Sequence, residues 1–295
     1  MNCIRLGSRE SRLAVIQAEI VRDALLAAHP QMNVEIKTYK TTGDRILDRP
    51  LDEIGGKGLF TKELELALLA GEIDMIVHSY KDVPMEVDTR IPIVGVLPRG
   101  DARDALVLPA GADEIDIRKP IGCSSKRRAL QLRALYPGCV VAPVRGNVIT
   151  RLEKLDGGQF GALVLAAAGL TRLGLEARIS RFFSPDEMLP AACQGILALQ
   201  ARAELDCSLL SGVCDEQAWL ISVAERSFVR TLDGGCSSPV AAHGVVADGV
   251  LSLTGFDVEE AGETLRFERI CGAPQDGETL GRMLALAMRE ARCGV

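Results

Sequence analysis

Strand-like and helix-like patterns of apolar and polar residues alternate along the first two-thirds of the chain. Strands are predicted over residues 4–8 and 34–39, the second with polar alternation, and apolar runs typical of buried strands cover residues 73–77 and 91–97. Between them, apolar residues recur at helical spacing, as at Leu13, Ile16 and Ile20, in a segment over residues 11–29 that is stopped by Pro30. A second helix is marked by Phe60, Leu64, Ala67 and Leu68, and ends at Gly71. This alternation predicts an α/β fold with largely parallel sheets.

The same pattern then repeats as a second set of elements. Its predicted strands cover residues 105–108, 121–123, 140–144 and 163–166, with helices beginning at Ser124 and Val148. A further apolar run over residues 196–201 predicts a strand that could return to the first sheet.

After about residue 215 the order of elements changes. A helix over residues 218–231 is followed by three strands, over 240–246, 250–256 and 264–271, and by a last helix. One face of that helix carries Leu280, Leu284, Ala287 and Ala291. Hairpins packed on helices are typical of an α+β module.

The pattern therefore predicts three domains. The first α/β domain comprises residues 1–98 and 195–214, the second residues 99–194, and the C-terminal α+β domain residues 215–295. The first also contains a long flexible segment, about residues 42–58, with the glycine-rich stretch Gly55-Gly56-Lys57-Gly58. This stretch matches neither a Walker A loop nor G-x-G-x-x-G. Long loops of this kind tend to be lids or binding loops.

Charge and residue composition restrict the kinds of ligand and partner that we expect. The 295 residues carry a formal net charge of −6 and a pI near 5.3, which argues against a dedicated nucleic-acid-binding protein. Nine cysteines and three histidines are scattered without metal-ligand spacing, so we expect no metal site and no disulfide framework. We find no signal segment or membrane span, and expect a cytoplasmic protein without membrane partners.

Positive charge is concentrated at predicted strand-to-helix junctions. The clusters are Ser124-Ser125-Lys126-Arg127-Arg128, Arg145-Gly146 with Arg151, Ala168-Gly169-Leu170-Thr171-Arg172, and Arg9 after the first strand. One arginine at a helix start is most simply a solvated surface charge. Several together oppose the helix dipoles and are costly without a ligand. Because ligands of open α/β sheets bind beyond the carboxyl ends of strands, the clusters predict a polycarboxylate or phosphate ligand.

Two further groups are candidates for chemistry. Asp82 beside Lys81 could act as a general acid or base or stabilise a developing cation, although a bare Lys-Asp pair can equally be a surface ion pair. Cys236 follows two glycines and precedes Pro239, so its thiol should be displayed on a tight turn. Such a thiol is a candidate attachment point or nucleophile, while the glycine pair alone could be merely a turn.

The order of these motifs resembles the porphobilinogen deaminase (hydroxymethylbilane synthase) family over essentially the whole chain. The matching stretches are Arg9-x-Ser11 with Leu13-Ala14, Thr41-Thr42-Gly43-Asp44, Gly55-Gly56-Lys57-Gly58-Leu59-Phe60, His78-Ser79-x-Lys81-Asp82-Val83-Pro84, Ser124-Ser125-x-Arg127-Arg128, Arg145-Gly146-Asn147, Ala168-Gly169-Leu170, Gln194-Gly195 and Gly234-Gly235-Cys236.

The resemblance implies a transferase that joins four porphobilinogen molecules head to tail, releasing ammonia, to give hydroxymethylbilane for tetrapyrrole biosynthesis. It implies a dipyrromethane cofactor held by a thioether to Cys236, with Asp82 as the catalytic residue. The cofactor- and substrate-binding residues it implies are Arg9, Gln17, Lys57, Phe60, Ser79, Lys81, Ser124, Ser125, Arg127, Arg128, Arg145, Gly146, Arg151, Arg172 and Gln194. The implied fold is two periplasmic-binding-protein-like α/β domains with mixed, largely parallel sheets plus a C-terminal α+β domain, in a monomer.

Two other classes of protein are alternatives to this enzyme. A non-catalytic, bilobal solute-binding protein for a polycarboxylate ligand would need no Gly-Gly-Cys turn and would carry a secretion signal. A regulator that binds a carboxylate effector would need a nucleic-acid-binding helix pair, which the sequence does not suggest. Staining with acidic dimethylaminobenzaldehyde separates the classes, because a bound dipyrromethane colours the protein.

Overall fold

The chain folds as two compact units, which we describe from a computed structural model. The model describes residues 3–45, 61–234, 238–258 and 264–293. The first unit comprises Met1–Gly100 and Ile196–Trp219, and the second comprises Asp101–Gly195 and Leu220–Val295. None of the helices in the described ranges combines the length and the low charge of a membrane span.

The first unit is built on a five-stranded sheet. Its strands are β1 (Cys3–Arg9), β2 (Asn33–Tyr39), β3 (Met75–Ser79), β4 (Ile93–Val96) and β10 (Leu197–Ala201), in the order β2-β1-β3-β10-β4. β10 runs antiparallel to both of its neighbours, while β1 is parallel to β2 and β3. The prediction that residues 196–201 return to the first sheet is thus confirmed.

The helices of the first unit are α1 (Arg12–Ala28), α2 (Thr42–Arg45) and α3 (Lys62–Leu69). Ser11 caps α1, since its hydroxyl accepts the Ala14 N–H at 3.4 Å. α1 buries Ala18, Val21 and Leu25 against the sheet, at the spacing of one helix face. α2 is helical where the sequence predicted a flexible segment, and the rest of that segment from residue 46 lies outside the described residues.

The second unit contains a second five-stranded sheet. Its strands are β5 (Asp104–Val107), β6 (Ile121–Gly122), β7 (Val141–Ala142), β8 (Ala162–Ala166) and β9 (Arg181–Phe182), in the order β7-β6-β8-β5-β9. β5 runs antiparallel to β8 and β9, and β6 is parallel to β7 and β8. Both sheets therefore share one design, in which the fourth strand across the sheet is reversed.

Helices α4 (Lys126–Leu135), α5 (Val148–Asp156) and α6 (Ala167–Arg172) belong to this sheet. The remainder of the unit consists of α7 (Glu216–Thr231), β11 (Ala241–Ala247), β12 (Val250–Val258), β13 (Leu265–Gly272) and α8 (Gly277–Cys293). The first four residues of α7 are assigned to the first unit. The three strands are antiparallel, in the order β11-β12-β13. A Cβ atom on Gly281 would lie 2.3 Å from Ala224 O, so glycine lets α8 approach α7 closely. The predicted fold class is confirmed.

Candidate functional site

In the first unit, candidate site residues lie at the carboxyl ends of β1 and β3. β1 ends at Arg9, and β3 ends at Ser79, which a 3₁₀ turn over Tyr80–Asp82 follows. Because β1 and β3 are parallel neighbours, these ends share one edge of the sheet. Tyr80 is buried and its N–H donates to Ile196 O at 3.0 Å, which fixes the turn. Lys81 is half-buried and Asp82 is exposed.

Gln17 supports this edge from α1. Its side chain is buried, and its Nε2 lies 2.9 Å from Ser79 Oγ while the hydroxyl lies 3.2 Å from Oε1. The pair fixes the Ser79 hydroxyl at the end of β3. Direct contact of either residue with a ligand stays a prediction.

His78 precedes this turn but is unsuited to proton transfer. It is buried in β3, and burial lowers the pKa of its imidazole from 6.5 to about 4. Its Nε2 lies 2.9 Å from Gln200 Oε1, an acceptor, so this nitrogen donates. The imidazole is therefore neutral near pH 7, with one nitrogen already engaged.

In the second unit, candidate site residues lie at the start of α4, beyond the carboxyl end of β6. Here Arg127 and Arg128 are both buried, and both bind the fully buried carboxylate of Asp104. We call these three residues the Asp104 cluster. Burial would raise the pKa of Asp104, but the two guanidinium charges outweigh it and hold that pKa well below its usual range. One of the two positive charges is thus neutralised inside the protein.

Each guanidinium nitrogen of Arg128 has a hydrogen-bond partner. Its Nε and Nη2 lie 3.0 and 2.6 Å from Asp104 Oδ1, and its Nη1 donates to Val164 O at 3.1 Å. Arg127 Nη1 donates to Asp104 Oδ2 at 2.7 Å and to Leu189 O at 2.6 Å, while its buried Nε has no hydrogen-bond partner among the described residues. The sequence predicted that these two positive charges at the helix start need a ligand. In the structure Asp104 already offsets the cost of burying them. Their contact with ligand carboxylates stays a prediction.

The serines of this junction also have partners within the protein. Ser125 is the N-cap of α4 and accepts the Arg128 N–H at 3.5 Å. Ser124 Oγ donates to Val144 O at 2.7 Å and accepts the Val144 N–H at 3.1 Å. Ser124 therefore joins the start of α4 to the segment that follows β7. Binding of an anion by either hydroxyl stays a prediction.

Two more of the predicted cations follow β7. Arg145 is half-buried, and Arg151 lies in the first turn of α5, where its Nε donates to Gly146 O at 2.8 Å. Lys154 Nζ donates to Arg145 O at 3.1 Å. The loop before α5 is thus braced by side chains of α5 itself.

Arg172 was predicted at a helix start, and that placement is wrong. The small residues after β8 already form α6, so Arg172 lies in its last turn, where a cation suits the helix dipole. Its Nη2 donates to Gly195 O at 2.6 Å, and burial lowers the pKa of its guanidinium to about 10. No carboxylate of the described residues pairs with it. A largely buried cation that faces a carbonyl is well suited to an anionic ligand.

Gln194 is fully buried next to these groups. Its Nε2 donates to Ala102 O at 2.6 Å and to Asp104 Oδ1 at 2.8 Å. Its contact with a ligand stays a prediction. Three of the predicted site residues, Lys57, Phe60 and Cys236, lie outside the described residues.

Sequence reasoning did not single out Asp104. The available signal was weak: a single acidic residue that directly precedes the apolar run over 105–108. Its importance becomes visible only when the reversed strand β5 brings it to the arginines of α4.

Two family models match most of the chain. A family model described as the dipyrromethane cofactor-binding domain of porphobilinogen deaminase matches residues 4–208, and a second, for the C-terminal domain, matches residues 219–290. The porphobilinogen deaminase of Acetivibrio thermocellus is 56% identical over 285 residues, which are 97% of each chain. That of Alkaliphilus oremlandii is 57% identical over 286 residues, 97% of this chain and 96% of the relative. The predicted family and its dipyrromethane cofactor are confirmed: the chain belongs to the porphobilinogen deaminase family.

Proposed function

We propose that the protein joins four porphobilinogen molecules head to tail, with release of ammonia at each step, to give hydroxymethylbilane. The observation that carries this proposal is the set of cations at the strand ends, and above all the largely buried Arg172. Porphobilinogen and its oligomers carry acetate and propionate groups. An acidic protein needs such a local set of cations to bind them.

The residues present fit a dipyrromethane cofactor. Its carboxylates match the cationic donors Arg9, Arg145, Arg151 and Arg172, and the buried Arg127 Nε has no partner among the described residues. When bound, the cofactor would supply the terminal pyrrole to which the first porphobilinogen unit is joined. We propose Cys236 as its attachment residue, since thioether formation needs a displayed thiol.

Asp82 is the residue that we propose for catalysis. The reaction develops positive charge on a pyrrole nitrogen and moves a proton as ammonia leaves. A carboxylate accepts hydrogen bonds when ionised and donates when protonated, so one group can serve both needs. The buried Tyr80 anchors the turn that carries Asp82, which keeps the exposed carboxylate in place.

We further propose the three-domain division, with boundaries at 1–98 and 195–214, 99–194 and 215–295. It is supported by three separate sheets, one in each segment. A monomeric state and a cytoplasmic location remain predictions.

The experiment that tests the function combines substrate turnover with intact mass. Wild-type protein incubated with porphobilinogen should release ammonia and form hydroxymethylbilane, and its mass should exceed the sequence mass by one dipyrromethane. Cys236→Ser should fold but lack both the added mass and the activity. Cys271→Ser, which changes an exposed cysteine, is the matched control and should keep both.

The alternatives give different results. A solute-binding protein would bind porphobilinogen without consuming it and would stay colourless with acidic dimethylaminobenzaldehyde. Added mass that persists in Cys236→Ser would place the cofactor on another residue.

A further inference from the structure

Three consecutive residues before β10 bind three different parts of the second unit. Cys193 contacts α7, Gln194 contacts the Asp104 cluster, and Gly195 contacts Arg172. We propose that this turn, residues 193–195, positions the cations of the site and that Glu225 holds it in its strained conformation. The proposal rests on the proposed function, because it concerns the binding of the substrate's carboxylates.

The turn is strained at Cys193. Its φ angle is +60°, a left-handed conformation that residues other than glycine seldom adopt, whereas Gly195 tolerates its φ of +89°. Strain of this kind persists only where the surrounding structure enforces it, and it concentrates at functional sites. Cys193 is buried, with 1% of its surface exposed, so contacts inside the protein must enforce it.

Glu225 is the group best placed to do so. Its carboxylate is fully buried on α7, and Oε2 accepts the Cys193 N–H at 2.5 Å. Oε1 accepts the Gly244 N–H of β11 at 2.7 Å. Glu225 thereby ties the strained peptide to a strand of the C-terminal sheet.

The side chain of Gln194, the residue after Cys193, connects the turn to the Asp104 cluster. The Gln194 amide donates to Asp104 Oδ1 at 2.8 Å, and its Oε1 lies 3.5 Å from Arg128 Nη2. Since Gln194 has no exposed surface, it acts through these residues. This assigns it a positioning role.

Gly195 extends the constraint to Arg172. Its carbonyl accepts Arg172 Nη2 at 2.6 Å, and the direction of that carbonyl is set by the backbone angles of the turn. If the turn relaxed, the Gly195 carbonyl and the Gln194 amide would both move. Arg172 and Arg128 would then be misplaced together, which should weaken carboxylate binding more than it slows the chemical step.

The test is a double-mutant cycle between positions 225 and 193, read as kcat and KM for porphobilinogen. Glu225→Gln replaces one of the two accepting oxygens by an NH2 group, which cannot accept a backbone N–H, and should raise KM about tenfold or more with a smaller change in kcat. Cys193→Gly removes the strain, so in that background the same Glu225→Gln change should raise KM far less. Cys193→Ala removes the thiol but keeps the strain, and is the matched control: it should not rescue.

Several results would overturn the proposal. An unchanged KM in Glu225→Gln, or rescue by alanine as complete as by glycine, would show that the left-handed turn is not what Glu225 maintains. Asp74→Asn removes another buried carboxylate, in the first unit, and should lower thermal stability without changing KM. A KM that rises equally there would show that loss of stability alone explains the effect.

Two contingencies are covered by further measurements. If Glu225→Gln does not fold, Gln194→Met takes its place, and an unchanged KM in that variant overturns the proposal. If the wild-type protein consumes no porphobilinogen, the proposed function fails by itself. The cycle can then be read in thermal midpoints, where glycine and not alanine at position 193 should reduce the loss caused by Glu225→Gln.

Discussion

Each unit contains a buried aspartate held between two arginines, and the two arrangements differ in place and exposure. In the first unit, Asp74 binds Arg5 and Arg202, a set that we call the Asp74 cluster. The arginine side chains there are 33% and 22% exposed, against 4% and 9% in the Asp104 cluster. The Asp74 cluster is therefore partly screened by water, and the Asp104 cluster is sealed from it.

The reversed strands explain where the two clusters lie. Asp74 precedes β3, and the reversed strand β10 brings Arg202 to that amino-terminal edge, away from Asp82. In the second unit, the reversed strand β5 begins with Asp104, which pairs with Ala166 at the carboxyl end of β8. The same topology thus places one carboxylate cluster at the amino-terminal end of β3 and the other at the carboxyl end of β8.

The largest expected difference between the clusters is in stability. Asp104→Asn leaves two buried guanidinium groups without their carboxylate and should cost about 3–5 kcal/mol of unfolding free energy. Asp74→Asn leaves more exposed arginines and should cost about 1–3 kcal/mol. Urea unfolding of both variants measures the difference. Equal losses would mean that burial does not distinguish the clusters.

In contrast to the two clusters, Asp82 should matter for activity and not for stability. Asp82→Asn keeps the size of the side chain but removes charge and proton exchange, and should slow turnover roughly 10²- to 10⁴-fold. Because Asp82 is exposed, its unfolding free energy should hardly change. Asp82→Glu should retain partial activity and accumulate covalent intermediates, which intact mass can detect. Near wild-type turnover in Asp82→Asn would refute the catalytic role.

His78 should make the stability of the first unit fall between pH 6.5 and about pH 4, above the range in which the lowered pKa values of Asp74 and Asp104 make stability fall. Its folded-state pKa of about 4 lies below the ordinary 6.5, so the unfolded chain binds the proton first as pH falls. Unfolding free energy should decline by roughly 3 kcal/mol between pH 6.5 and pH 4 because of this residue. His78→Gln should flatten that decline in urea titrations at several pH values. If unfolding free energy declines with pH equally in His78→Gln and the wild type, another group causes the decline.

Much of the fold could be predicted from sequence because apolar periodicity is local. The helix predicted over residues 11–29 is observed as Arg12–Ala28, and the return of residues 196–201 to the first sheet is also observed. β9 was missed because two exposed residues carry no pattern. α6 was misplaced because its first residues are small and have no clear apolar face.

The site was harder to predict, since its contacts connect residues far apart in the chain. Positive clusters at strand ends could be recognised from their order. Asp104 and Glu225 could not, because their roles depend on a reversed strand and on a left-handed backbone at Cys193. Neither feature leaves a local pattern in the sequence.

We predict that the Asp104 cluster serves the cofactor site, whereas the Asp74 cluster serves only the fold. Intact-mass measurement of folded wild-type, Asp104→Asn and Asp74→Asn proteins, purified in parallel, tests it most directly. We expect the mass of one dipyrromethane on the wild type and on Asp74→Asn, and its loss from most Asp104→Asn molecules. Full occupancy in Asp104→Asn, or equal loss from both variants, would contradict the claim.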